Sequence, residues 1–453
     1  MNGVFEDFRF DVHFVIFTHF KLSSELTSLF NGYSVEFIKI PPANTDSFKI
    51  QFFRKIRTFI YHLRNCTPTS DTKMFLLKEG YFGSKIPLAY YTYVLLKKIK
   101  SPLKKKFLNL LSDFFFRLEL FITKRTDLRY ARLIDKYKPL YVFSHSPYDM
   151  IQLPLHRSAF RAKVPLVASI VSWDNPTSSG ELTIPFSDIL VWSDHMKEEV
   201  HTFLDYDYSK LHVSGALQFD QYFKIKPESK LQFYRKFNIP LNKKIITYTM
   251  TSSLHQPKEH EIIIIISEIL RDYFPDCVLL VRGYPNNPNN GMFDSLSKKY
   301  SFFFDDPAKS EMVGEKYFPS KDYLRNLIST MKYSLCTINY PSTIILDASI
   351  FLKPTINLKF DTHEEKKGFS PAKRFYNYLH FRYVTESNAS IVVNNKKELI
   401  NGIRAILKNP DLKKNELLSF RDKICGPVDG KAYLRQRKIL QQLSEKYLSL
   451  RSL

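Results

Sequence analysis

Tyr333-Ser334-Leu335-Cys336-Thr337, then Ser342-Thr343-Ile344-Ile345-Leu346-Asp347-Ala348, then Phe351-Leu352-Lys353-Pro354-Thr355-Ile356-Asn357 reads as strand, helix opened by small hydroxyls, strand. A short apolar run, a helix and a second apolar run within one such unit is how a parallel sheet is built, because parallel neighbours need a crossover between them. The same alternation extends in both directions. Upstream strands are expected at Val12–Phe17, Ser34–Ile40, Lys73–Leu77, Leu140–Phe143, Leu166–Ile170, Ile189–Trp192 and Lys210–Val213. After a charged, strandless stretch from Gln221 to Lys244 the pattern restarts at Ile245–Thr249, Cys277–Val281 and Ser301–Phe304, and closes with Pro354–Asn357 and Ile391–Val393. An α/β chain of two Rossmann-like, doubly wound domains facing a central cleft is therefore expected, with ligands at the carboxyl ends of the strands. The boundaries are placed at 1–225 for the first domain and 226–433 for the second, with a final helix, 434–453, packing back on the first.

Length and composition support a globular reading. The chain has 453 residues, 44% hydrophobic and 25% charged, with 39 Phe, 27 Tyr and 2 Trp, which excludes an unfolded polyampholyte. Only 13 Gly are present and no repeat period is visible, so collagen-like, solenoid and propeller architectures are excluded. Cys66, Cys277, Cys336 and Cys425 are widely separated, with no metal-ligand spacing, so no disulfide framework, zinc site or other metal site is expected. Met1 to Asp7 lacks the basic and apolar regions of a secretion signal, and a cytoplasmic location is the expectation.

Charge is unevenly spread. The total is 67 basic against 45 acidic residues, net +22, and residues 51–140 hold 20 Lys and Arg against 6 Asp and Glu. Such a field suits an anionic partner: nucleic acid, an acidic membrane or a phosphorylated substrate. Within the basic, aromatic-rich region 91–137, Lys97, Lys98, Lys100, Lys104, Lys105 and Lys106 run into Phe107, Leu110, Leu111, Phe114, Phe115 and Leu118 at helical spacing. Two readings fit: a core-facing helix of the first domain, or a face peripheral to the inner side of the cytoplasmic membrane. No recognisable RNA- or DNA-binding signature accompanies the charge, so a basic nucleic-acid-binding protein is the non-enzyme alternative and no nucleic-acid partner is expected.

Candidate chemistry clusters at strand ends. Ser342 and Thr343 open a helix whose N–H groups and hydroxyls suit a diphosphate, and Asp347 one turn on suits ribose hydroxyls. Thr249, Thr251 and Ser252 follow the opening strand of the second domain as a glycine-free phosphate loop, unlike a dinucleotide fingerprint or a P-loop. Arg282 ends the next strand, placed to neutralise a leaving diphosphate. In the first domain, Ser172-Trp173-Asp174-Asn175-Pro176-Thr177-Ser178-Ser179-Gly180 supplies an aromatic face and many directional hydrogen bonds. Trp173, Asn175 and Thr177 are candidate sugar contacts, and Asp174 a candidate base or a loop-fixing residue. His145, at another strand end, is a second candidate base.

These blocks resemble those of GT-B glycosyltransferases of bacterial surface polysaccharide assembly, capsule and O-antigen included, a group related to the glycerophosphotransferase-like superfamily. Ser342–Ala348 is similar to their S-T-x-x-x-[ED]-A donor element, with Leu352 where Gly is usual before Lys-Pro. Ser172–Gly180 is similar to an S-W-D-N-x-T-S-x-G block. Val213-Ser214-Gly215-Ala216-Leu217-Gln218-Phe219-Asp220 is similar to a V-x-G-x-x-Q-F-D domain ending. Arg282-Gly283-Tyr284-Pro285 resembles an R-x-H-P element with Tyr for His, and Lys321-Asp322-Tyr323 resembles a region near the nucleotide base. The resemblance implies a metal-independent GT-B enzyme, without a cofactor beyond its substrate, that moves sugar from a nucleotide-sugar donor, UDP-linked by expectation. The acceptor implied is a surface polysaccharide or lipid-linked glycan. A CDP-glycerol glycerophosphotransferase and a nucleotide-sugar 2-epimerase of the same fold are the enzymatic alternatives.

Overall fold

The computed structural model describes residues 13–18, 27–28, 30–39, 48–81, 83, 85–253, 255–285, 291–307, 312–313, 316–317, 321–362 and 370–452. Val12, Ile40 and the Met1–Asp7 segment read above lie outside them. The chain divides into two compact units, one running to Leu217 and resuming at Ile424, the other spanning Gln218–Lys423. The breaks thus fall before the expected 225/226 and 433/434. Tyr222 explains the first shift: it packs with Leu327, Met331 and Ala348 of the second unit, so the chain has already changed units there.

In the first unit, β1 (His13–Thr18) and β2 (Ser34–Lys39) form a parallel pair. Helices follow, among them α1 (Phe48–Asn65), α2 (Pro68–Glu79), α3 (Pro87–Lys97) and α4 (Pro102–Ile122). The strand expected at Lys73–Leu77 is instead the interior of α2. Thr67 caps its first turn by accepting from the Ser70 N–H, Pro68 takes the first helical position, and Gly80 closes it at φ 82°. These end signals outweigh the local β-like run Met74–Leu77. Buried Ile60, Leu63, Met74, Tyr93 and Leu108 hold the helices together. β3 (Val142–Ser144), β4 (Leu166–Ser169), β5 (Asp188–Val191) and β6 (Leu211–Val213) then form a parallel sheet in consecutive order.

The second unit contains β7 (Lys244–Thr249), α5 (Glu259–Tyr273), β8 (Cys277–Arg282), β9 (Phe303–Asp305) and a small antiparallel pair, β10 (Met312–Val313) with β11 (Lys316–Tyr317). It continues with α6 (Lys321–Tyr333), β12 (Ser334–Asn339), α7 (Ile344–Ile350), β13 (Thr355–Leu358) and β14 (Ile391–Val393). Its parallel six-stranded sheet has the order β14-β13-β12-β7-β8-β9. Counted from β7 within that sheet, this is the Rossmann order 3-2-1-4-5-6, which reverses between β7 and β12. The central strands β7, β8, β12 and β13 are buried almost throughout, with Ile246, Leu279, Ile338 and Ile356 in the core, as a sheet covered on both faces requires.

The last helix, α8 (Ala432–Ser452), belongs to the first unit, where Leu440, Leu443 and Tyr447 pack with Val167 and Leu190 of β4 and β5. Buried Asp188 of β5 fixes it further, accepting from Lys446 Nζ at 2.8 Å, from the Tyr447 hydroxyl and from His212 Nε2 at 2.8 Å. Burial alone would raise the Asp188 carboxyl, but these donors hold it below its ordinary value. The chain enters this region through Gly426 at φ 70°, where a Cβ would lie 2.2 Å from the Trp192 carbonyl oxygen, so only glycine fits.

Candidate functional site

The strand-order reversal places two loops side by side in the second unit: the one leaving β7 just after Thr249, which carries Thr251 and Ser252, and the one leaving β12, which carries Ser342 and Thr343. An open parallel sheet offers its ligand crevice at such a point, outside the carboxyl ends of the strands. Asn339, the last residue of β12, donates through Nδ2 to Ser342 Oγ at 3.1 Å and accepts from Asn357 Nδ2 of β13 at 3.0 Å. This amide ladder sets the start of the β12 loop. Thr343 is exposed and Ser342 partly so; Thr343 stands at the N-cap of α7 in helical geometry, and its side chain makes no capping hydrogen bond.

The β7 loop departs from the expected phosphate loop. Its Thr251 N–H donates to both carboxylate oxygens of Glu259, at 2.8 and 3.1 Å, and the Tyr248 hydroxyl donates to the same group at 2.7 Å. An acidic side chain of the chain itself therefore takes the amide that a phosphate would have used. Glu259 is buried, and desolvation pushes its carboxyl up to about 8 despite those donors. Thr249 is buried too, its Oγ1 enclosed without a hydrogen-bond partner. The Thr249 hydroxyl and the Thr251 amide are therefore not arranged as an open cradle.

Arg282 also differs from expectation. It lies opposite Asp305 where β8 and β9 pair in register, is only 4% exposed, and forms an ion pair with that residue. Asn326 Nδ2 of α6 donates to the other Asp305 oxygen at 2.8 Å, and the Tyr323 ring lies under the guanidinium, 4.8 Å from ring centre to Cζ. Arg282 Nη1 is thus engaged by Asp305 inside the protein. Asp347 of α7 accepts a hydrogen bond from the Tyr222 hydroxyl, the group that stands where a ribose hydroxyl was expected. Burial pushes the Asp347 carboxyl up to about 6, against the lowering effects of Tyr222 and of the Arg282 charge.

The first unit turns its distinctive loop inward. Trp173 is 3% exposed and Thr177 fully buried, so neither offers a surface to a sugar. Asp174 accepts from the Ser172 and Ser178 hydroxyls while its carbonyl accepts from the Ser178 N–H at 2.8 Å, the arrangement of a loop-fixing residue. Asn175 Nδ2 bonds Ser179 Oγ at 3.1 Å. From α2, Lys73 Nζ donates to the Ser178 carbonyl; burial lowers its ammonium to about 8, offset in part by Asp174. The Tyr61 hydroxyl of α1 donates to the Pro176 carbonyl at 2.6 Å. His145, directly after β3, is exposed.

Sequence reasoning missed Tyr222, Glu259, Asp305 and Asn326. Tyr222 sits in the stretch read as a charged link, Glu259 acts on the loop just before its own helix, and Asp305 and Asn326 acquire meaning through neighbours more than twenty residues away. A usable signal existed for Asp305: two successive apolar strands end in opposite charges, Arg282 and Asp305, which parallel pairing brings together. Among the described residues no group of three or more His, Cys, Asp or Glu is placed to hold a metal ion.

No protein-family model matches the chain, and no curated protein matches it. Among solved structures it is similar to the S. aureus MnaA–UDP co-structure, at 16% identity over 73% of this chain and 81% of that one, TM-score 0.47. It is similar to UDP-GlcNAc 2-epimerase from Neisseria meningitidis bound to UDP-GlcNAc, at 15% identity over 71% and 81%, TM-score 0.45. A glycosyltransferase from Rickettsia africae shows 13% identity over 71% and 82%, TM-score 0.41.

Proposed function

We propose that the chain is a nucleotide-sugar-dependent glycosyltransferase whose donor nucleotide binds on the second unit, at the strand-order reversal between β7 and β12. The observation that carries the proposal is the Rossmann order of that sheet, with the sequence block Ser342–Ala348 leaving β12 at the reversal and the Thr343 side chain exposed there. Ser342 and Thr343 hold the donor phosphates through hydroxyl donors. Arg282 acts at one remove, holding Asp305 and the Tyr323 ring and biasing Asp347 by its charge. Tyr222 and Asp347 form the wall on the ribose side. On the first unit, His145 is exposed and is the candidate base toward an acceptor hydroxyl. The sugar passes from the diphosphate oxygen to the acceptor oxygen, and the nucleoside diphosphate leaves with its charge on the β-phosphate.

The test is a thermal-shift series with UDP, CDP, GDP and ATP on the native chain and on Thr343→Ala. A ligand that binds only the folded state at about a hundred times its dissociation constant adds about 2.7 kcal/mol. A shift with UDP that shrinks in Thr343→Ala is the expected result. A shift with CDP alone favours glycerophosphate transfer, and a C2-epimerised product from donor alone favours the epimerase. No shift with any nucleotide overturns the donor site.

A further inference from the structure

The helix α4 has two apolar faces, and only one is used. Leu108 and Phe116 are buried, with Leu111 and Phe115 packed against α1, whereas Leu103, Phe107, Leu110, Phe114 and Phe121 are between 58% and 79% exposed. Successive offsets of 4, 3, 4 and 7 residues from Leu103 keep these five within one narrow stripe of a 3.6-residue helix, opposite the buried one. Leu95, at the end of α3, is exposed as well. This divides the face read from sequence: Phe107, Leu110 and Phe114 look outward, while Leu111 and Phe115 turn to the core. A contiguous exposed apolar stripe of this length marks an interaction surface rather than ordinary surface scatter.

Charge identifies what covers it. Residues 97–125 contain nine Lys and Arg against Asp113 and Glu119. Glu119 is fully buried, bonded to Arg157 Nη1 at 2.9 Å, and Asp113 is paired with Arg117 at 2.7 Å. Exposed Lys98, Lys100 and Lys106 have no ion-pair partner among the described residues. A second copy docking face to face about a two-fold axis would bring this cationic rim against itself. An anionic lipid surface neutralises the rim and accepts the aromatic and leucine side chains between headgroups and acyl chains. No helix among the described residues is long and apolar enough to cross a membrane.

We infer that the exposed stripe of α4, with the lysines at its N-terminal end, docks the protein onto an anionic bilayer surface. The inference stands independently of the donor site.

The test is flotation of the full chain with phosphatidylcholine vesicles, with and without about a third phosphatidylglycerol. The expected result is flotation with the anionic vesicles alone, released at high salt. Two variants, Phe107→Ser/Leu110→Ser/Phe114→Ser and Lys98→Glu/Lys100→Glu/Lys106→Glu, each reduce the bound fraction at least about tenfold. Both keep the native melting temperature, since every altered side chain is exposed. Absence of flotation, or equal flotation of both variants and the native chain, overturns the inference. So does a dimer of the free protein that the serine variant abolishes in the absence of any flotation, which assigns the stripe to a second copy.

Discussion

The loops Ser172–Gly180 and Ser342–Ala348 each follow a buried parallel strand, and each carries hydroxyls and one acid, yet the two behave oppositely. In the first, Trp173 and Thr177 are buried and Asp174 is bonded by its own neighbours Ser172 and Ser178. In the second, Ser342 and Thr343 stay at the surface. The difference follows from topology. The loop that leaves β4 is held by α1 and α2, whose Tyr61 and Lys73 donate to its Pro176 and Ser178 carbonyls; β12 borders the reversal, where the connections on either side run to opposite faces. Chemical richness of a loop marks a site only where the sheet leaves room for one.

The largest effect that would break this comparison is at Trp173. Trp173→Ala removes a buried aromatic and is expected to cost about 3–5 kcal/mol, read as a lowered denaturant midpoint. Unchanged stability together with lost transfer would mean that the indole meets a sugar after all. Next comes Arg282. Because it neutralises Asp305 in the interior, Arg282→Ala leaves a buried carboxylate without its cation and is expected to destabilise the second unit by about 3 kcal/mol, lowering nucleotide affinity only through that loss. A variant of native melting temperature that no longer binds nucleotide would return Arg282 to direct contact with the diphosphate.

How far the sequence could be read follows the range of the interactions. The α/β pattern was legible because burial on both faces leaves short apolar runs, and β8, β12 and β14 lie within about two residues of where those runs place them. Lys73–Leu77 failed because Thr67, Pro68 and Gly80, which make it a helix, lie outside the run itself. In the candidate site, Ser342 and Thr343 were legible from local spacing. Tyr222 against Asp347, and Arg282 against Asp305, were not, since each pair joins residues far apart in sequence: the first meets through packing of Tyr222 beside α7, the second through the β8–β9 register.

The loop after β7 stands between the two cases, at the reversal yet closed, and Glu259 is what closes it. Folding holds this carboxyl up at about 8, above its unfolded value near 4.3, so between those pH values the folded chain binds a proton that the unfolded chain does not. Stability contributed by Glu259 is therefore fully present below about pH 4 and declines as pH rises toward 8, at a slope of at most about 1.4 kcal/mol per pH unit. Glu259→Gln keeps an acceptor for the Thr251 N–H and the Tyr248 hydroxyl but cannot titrate. Denaturation midpoints measured from pH 5 to pH 8 are expected to fall more steeply for the native chain than for the Gln variant. Nucleotide added at pH 8 separates the remaining possibilities: if the phosphate displaces the ionised Glu259 from Thr251, the native slope flattens on binding, whereas if the donor uses the β12 loop alone, the slope is unchanged.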